Sequence, residues 1–435
     1  MKRTLSVSVL GMVMGILLSQ PAAAARTPSA PSLKPDLVAA SEVISTRDAN
    51  LMREALAAVD RGDWGKVRRI EGQIYDETAR DILTWYRARR DVTMPFGQLN
   101  DALERLGSWP ETATIRANAE ERIQLSGLSA NERIAWFESH DGAKTGGGGI
   151  ILADAYRRVG LHDKSLAEIR QVWHGRSLSR ELSQRVMANY GGKLTQDDHR
   201  KRMDFLLWTR QTSAATRLKP LLTSDWQALS EARIRLILRR RGVDAAIDAV
   251  PASLEAHPGL VFDRAYWRRK RGLTQDVPYL LRGIDGEDVP VAGRGRLWSE
   301  RNLAMRTALK KAQFALAYDL AVSHGLTSGP SFAEAEWAAG WIALRHLSRP
   351  ERALAHFETL KTGVGTPISL ARADYWTGRA KEALNDADGA NAAYLEAADY
   401  QFTYYGQLAA EKVSSLTIDL SQQVIVTPED RTIFA

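Results

Sequence analysis

Residues 331–357 read SFAEAEWAAGWIALRHLSRPERALAHF, and residues 366–398 continue TPISLARADYWTGRAKEALNDADGANAAYLEAA. Trp337, Trp341 and Leu344 recur at three- and four-residue spacing, the period of one face of an α-helix. Ser331 is a candidate N-cap for that helix. Pro350 suits the first turn of the next helix, whose inward residues are Ala353, Leu354 and Phe357. Thr366-Pro367 opens a third with Leu370, Tyr375, Trp376 and Ala380, and Asp388 to Ala398 forms a fourth with Ala392, Ala393 and Leu395. Helix follows helix with only a few residues between them. Each pair has one apolar stripe and cannot bury it alone, so pairs must stack.

The same grammar extends back along the chain. Asp81 to Arg90 carries Ile82, Trp85 and Tyr86 on one stripe. Ile151 to Val159 is closed by Gly160, with Asp163 as the N-cap of a helix reaching Trp173. Ala312 to His324 is closed by Gly325. Only Gln423 to Thr427 (QVIVT) alternates like a strand, and it is too short to define a sheet. Trp341 and Trp376 are 35 positions apart, and Phe357 and Tyr394 are 37 apart, close to the ~34-residue tetratricopeptide period. The fold class read from this pattern is all-α, an α-solenoid or superhelix of short antiparallel pairs with degenerate, tetratricopeptide-like repeats. A compact helical bundle is the alternative.

The chain has 435 residues, 26% of them charged, and no Cys. It therefore has no disulfide, no thiolate metal site and no cysteine nucleophile. Its net charge of +7 is mildly basic. No concentrated basic stripe stands out in the sequence, so nucleic acid is not an expected partner. Residues 1–25 have the plan of a secretory signal peptide: Lys2 and Arg3, an apolar run from Leu5 to Leu18, and small residues at Ala23 and Ala25. The run is short of the ~20 residues of a spanning helix. The expectation is a periplasmic protein cleaved before Arg26, with no membrane span after signal removal. Residues 26–47 read as a flexible lead-in, 48–415 as the superhelical domain, and 416–435 as the start of a truncated linker region.

Chemistry is sparse. None of the eight His residues forms a metal-binding motif, and no cofactor is expected. His346 and His356 could face each other across adjacent helices, although surface positions suit both better. Lys144 to Ile150 (KTGGGGI) lacks the Lys-Ser/Thr of a phosphate loop and reads as a flexible connector. Glu138 precedes Ser139 in a Glu-Ser pair, but no apolar pocket follows that could keep its carboxyl protonated. The twelve Trp residues read as core rather than as a sugar platform, with Trp85, Trp337, Trp341 and Trp376 on apolar stripes. The sequence yields no catalytic, cofactor-binding or metal residue, and its substrate-binding residues stay unknown.

Five segments together resemble the soluble lytic transglycosylases of bacterial cell-wall turnover. They are Asp76–Arg89 (DETARDILTWYRAR), Leu194–Trp208 (LTQDDHRKRMDFLLW), Trp298–His324, Phe332–Phe357 and Ala371–Val413 with its ADYWTGRA and YYGQLAAEK runs. The resemblance implies a superhelix followed by a linker region and a lysozyme-like domain. That domain cleaves the bond between N-acetylmuramic acid and N-acetylglucosamine without water, leaving a 1,6-anhydromuramoyl product. It uses one Glu in a Glu-Ser motif followed by Gly-Leu-Met-Gln. This sequence lacks Gly-Leu-Met-Gln, and Glu138 lies within the superhelical part. The resemblance thus implies a non-catalytic region, inactive alone, whose partner is peptidoglycan. Exposure of Val424, Ile425, Val426, Ile433 and Phe434 at the truncated end implies a tendency to aggregate. A stand-alone periplasmic scaffold for envelope proteins is the competing reading, and an enzyme with an unrecognised helical site is a third.

Overall fold

A computed structural model describes residues 44–413. The expected signal peptide, most of the expected lead-in, the QVIVT run and the apolar residues near 424–434 lie outside them. The described chain is all-α: twenty-two α-helices and four short 3-10 turns follow one another, with no strand among the described residues.

The helices stack mainly against their neighbours in sequence. The most extensive pairings are Pro367–Ala383 with Ala387–Ala398, Gly329–Arg345 with Pro350–Thr362, and Gly146–Arg158 with His162–Gly175. The apolar interior follows suit. It divides into successive clusters, around Ala55–Leu83, Ala88–Tyr156, Ile150–Leu260, Trp208–Ala380 and Tyr375–Ala410. A bundle gathers its helices around one core, whereas a solenoid passes the core from pair to pair. The relay of clusters sets the bundle alternative aside.

The final pairs show why these residues cross where they do. Gly340 lies against the Phe357 ring, so that a Cβ there would sit 2.5 Å from it. Gly378 lies against the Tyr394 ring with the same 2.5 Å spacing. Glycine on one helix meets an aromatic ring on the next in both pairs. Trp337 and Trp341 stack at 6.0 Å, and Trp376 meets Trp337 edge-on at 6.2 Å, which joins the two pairs. These Trp residues are half-buried and packed on the core, as is Trp85.

Several boundaries differ from the sequence reading. The first helix runs Thr46–Arg61, two residues earlier than expected, because Ser45 caps it by accepting from the Asp48 N–H. Asp163 lies in the first turn of His162–Gly175, whose N-cap is Leu161. Ser331 lies inside the helix Gly329–Arg345, which starts after Ser328 with Pro330 in its first turn. The helix expected from Ala312 begins at Phe314, since Ala312 itself adopts φ +55°. Leu83 rather than Ile82 occupies the buried position of Glu77–Arg90.

The glycine run is not a flexible connector. It is the first turn of Gly146–Arg158, capped by Thr145, and Gly146, Gly148 and Gly149 are buried. The Glu120 carboxylate occupies the space a Gly148 Cβ would need. It accepts from the Lys144 and Thr145 N–H groups, both at 2.8 Å, and satisfies donors left free at the helix start.

Candidate functional site

The sequence reading weighed three candidates for chemistry. Glu138 ends the helix Ala130–Glu138 with its side chain half exposed, accepting from the Tyr156 hydroxyl at 3.1 Å. His346 is exposed and stacks on Phe314 at 4.1 Å. His356 is not a surface residue and does not face His346. It is half-buried and turned towards Glu336, which the sequence reading had not singled out.

Glu336 joins a buried polar relay. The Leu326 N–H donates to His324 Nδ1 at 2.9 Å. Nε2 of that ring therefore carries the proton and donates to Glu336 Oε1 at 2.9 Å. His356 Nδ1 donates to Glu336 Oε2 at 2.7 Å, leaving Nε2 to accept from the Tyr318 hydroxyl at 3.1 Å. Burial pushes the Glu336 carboxyl up, but the hydrogen bonds from His324 and His356 outweigh it and hold the pKa down at about 2. Tyr318, His324 and Glu336 are all buried. The relay joins three helices and the loop at His324 in the interior, and it serves as a clamp rather than a substrate site.

A second cluster reaches the surface. Tyr266, in the helix Pro258–Lys270, is half-buried and stacks on Phe262 at 6.3 Å. Four cations lie within 6.0 Å of its ring: Arg210 at 4.5 Å, Arg269 at 5.4 Å, Lys270 at 5.5 Å and Arg296 at 6.0 Å. Only Arg269 is neutralised, by a bidentate pair with Glu300. Arg210, Lys270 and Arg296 form no ion pair among the described residues. Buried Arg210 Nη2 and Arg296 Nε have no hydrogen-bond partner. Arg210 is held in the left-handed backbone region at φ +61°, in the turn after Gln196–Trp208. Burial and then repulsion from Arg296 push its pKa down, opposed by Asp263.

A buried charge layer lies beneath. Arg233 donates to Asp263 at 2.9 Å and to Asp204 at 2.6 Å. Gly259 leaves the space that the Arg233 guanidinium fills. Burial pushes the Asp263 carboxyl up, with Arg233 opposing. This layer sets one guanidinium against two carboxylates, and Asp263 also acts electrostatically on Arg210 and Arg296 above it.

Such an arrangement can bind. An aromatic face with flanking guanidinium groups accepts a flat or ring-shaped group and an acidic substituent beside it. The sequence reading found no concentrated basic stripe; the fold gathers one from three separate stretches. The run YWRRKRG at 266–272 is the visible signal, and Arg210 and Arg296 lie outside it. Among the described residues, no group of three or more His, Asp or Glu side chains is placed to hold a metal ion. No described helix is long and apolar enough to cross a membrane.

No protein-family model matches the chain, and no curated protein sequence does. The solved structures similar in backbone include two of soluble lytic transglycosylases. One is the 70 kDa soluble lytic transglycosylase from Escherichia coli, with 12% identity and a TM-score of 0.35, covering 86% of this chain and 75% of that one. The other is the complex of the 70 kDa soluble lytic transglycosylase with bulgecin A, with 12% identity and a TM-score of 0.34, covering 79% of this chain and 72% of that one. Both likenesses are distant.

Proposed function

We propose that this chain is the superhelical, non-catalytic region of a periplasmic protein of the lytic transglycosylase type, and that it engages peptidoglycan. The observation that carries the reading is the Tyr266 surface, with Arg210, Lys270 and Arg296 gathered around one aromatic ring outside any ion pair among the described residues. Sugar rings pack on aromatic faces, and the carboxylates of a peptide-substituted glycan pair with guanidinium groups. The five sequence segments that resemble the family support the same reading. In that family the bond-breaking Glu belongs to another domain, so the role of this region is to orient the glycan.

The test is co-sedimentation of residues 26–435 with purified sacculi. Binding is expected, weakening as salt rises. R210Q/R296Q is expected to lower it about tenfold, a loss of about 1.4 kcal/mol. No anhydromuropeptide should be released. Release of such products by the pure chain, or absence of binding at low salt, contradicts the reading. The competing scaffold reading predicts specific co-purification of one envelope protein without affinity for sacculi. For localisation, N-terminal sequencing of the protein from a periplasmic extract should begin at Arg26.

A further inference from the structure

A cavity of about 200 Å³ opens between the helices His162–Gly175, Arg180–Tyr190, Gln196–Trp208 and Thr212–Leu218. Leu206, Leu218, Met187 and Trp173 make its apolar lining. Three arginines line it as well, Arg180, Arg202 and Arg217, and no carboxylate does. It shares no residue with the Tyr266 surface.

Arg202 is 1% exposed. Its Nη1 donates to the Trp173 carbonyl at 3.1 Å and the Arg176 carbonyl at 2.6 Å. Its Nη2 is buried and has no hydrogen-bond partner, and nor has Trp173 Nε1. No acidic side chain neutralises Arg202. Burial pushes its pKa down to about 10, so it stays a cation at neutral pH. A buried cation without a counter-charge is costly, and fixed positive charge in the lining of an apolar cavity favours an anion there. Arg180 and Arg217 are exposed and form no ion pair among the described residues. Glu181, outside the lining, feels both of them, but its carboxylate is held by its own backbone and Ser179. Ser183 and Gln184 add neutral hydrogen-bonding groups.

We propose that this cavity binds the free C-terminal carboxylate of a peptide that ends in an apolar residue no larger than leucine. The carboxylate would pair with Arg180 and Arg217 above the field of Arg202, and the apolar side chain would sit against Leu206, Leu218 and Met187. The cavity falls below the roughly 300–1,000 Å³ of pockets for drug-sized ligands, which limits the occupant to one or two residues. The proposal stands independently of the Tyr266 surface.

The test is calorimetric titration of residues 26–435 with N-acetyl-leucine, N-acetyl-leucinamide and inorganic phosphate as probes. N-acetyl-leucine is expected to bind with a Kd of about 1 mM or below. The amide and phosphate should bind at least about tenfold more weakly, because one lacks the charge and the other the apolar body. R180Q/R217Q should weaken the acid about tenfold with unchanged helical circular dichroism, while binding to sacculi through Tyr266 persists. A214F, which fills the cavity and keeps all three arginines, should abolish binding of the acid. Equal binding of acid and amide, tight binding of phosphate, an unaffected A214F, or no saturation by the acid at about 10 mM each overturns the proposal. Loss of sacculus binding in R210Q/R296Q with retained N-acetyl-leucine binding would separate the two sites.

Discussion

At the scale of single residues, stability rests on the hydrogen bonds that buried charged groups make. Glu336 is the clearest. Its pKa is held at about 2 in the fold against 4.5 for the free group. A depressed carboxyl contributes its stabilisation above the unfolded pKa and loses it as the pH falls through the folded one. The folded protein should therefore lose about 2–3 kcal/mol as pH drops from about 4.5 to about 2. E336Q should be less stable at neutral pH and show less of that slope in denaturant titrations across the window. An identical slope in the two proteins would remove Glu336 as the cause. Arg202 is a second case. R202M deletes the donors to the Trp173 and Arg176 carbonyls at the end of His162–Gly175. A cost of about 2–4 kcal/mol in the unfolding free energy is expected, from two acceptors left without donors and imperfect repacking. Neither role could be read from sequence. Arginine and glutamate usually occupy solvated helix faces, and nothing local marks the ones that the next helix will cover.

At the scale of helices, small residues decide how closely pairs approach. Gly148 makes room for Glu120, and Gly340 and Gly378 make room for the Phe357 and Tyr394 rings. In an exposed helix, Gly to Ala stabilises by up to about 1 kcal/mol. Here the sign should reverse. G148A places a methyl group within the Glu120 carboxylate and should cost about 2–3 kcal/mol, read as a lowered midpoint in urea. G340A should cost a similar amount, and F357L should recover part of it in the double variant, because the two positions share one contact. A stabilised G340A would show that the crossing is looser than the structure has it. The spacing of Trp341 with Trp376 and of Phe357 with Tyr394 was legible in the sequence. Gly340 as the partner of Phe357 was not, since a glycine advertises flexibility until a ring is seen against it. The four-glycine run misled for the same reason.

At the scale of the molecule, the core is relayed through successive clusters rather than shared. Stability is then the sum of local terms and of interfaces between neighbours. Hydrogen exchange should show the cluster Ala55–Leu83 and the cluster Tyr375–Ala410 opening independently of the middle of the chain. One common opening free energy for all protected amides would contradict the relay. The charge distribution belongs to this scale as well. The net charge of +7 is unremarkable, yet Arg210, Lys270 and Arg296 converge on Tyr266 from three helices or turns. Composition records a sum, and binding responds to the local field.

Apolar periodicity and short connections determined from the sequence alone that the described chain is all-α and built of stacked pairs, because a helix with one apolar stripe has to cover it with a neighbour. The Pro350 and Pro367 helix starts were equally local, since proline fits the first turn by its fixed φ and missing N–H. Tertiary structure alone decided which charges are buried, which glycines admit a ring or a carboxylate, and where cations gather without partners. Those features depend on residues 12 to 56 positions apart that meet only when the pairs stack. Local spacing carries information over a few helical turns, and the sites of this protein are made across them.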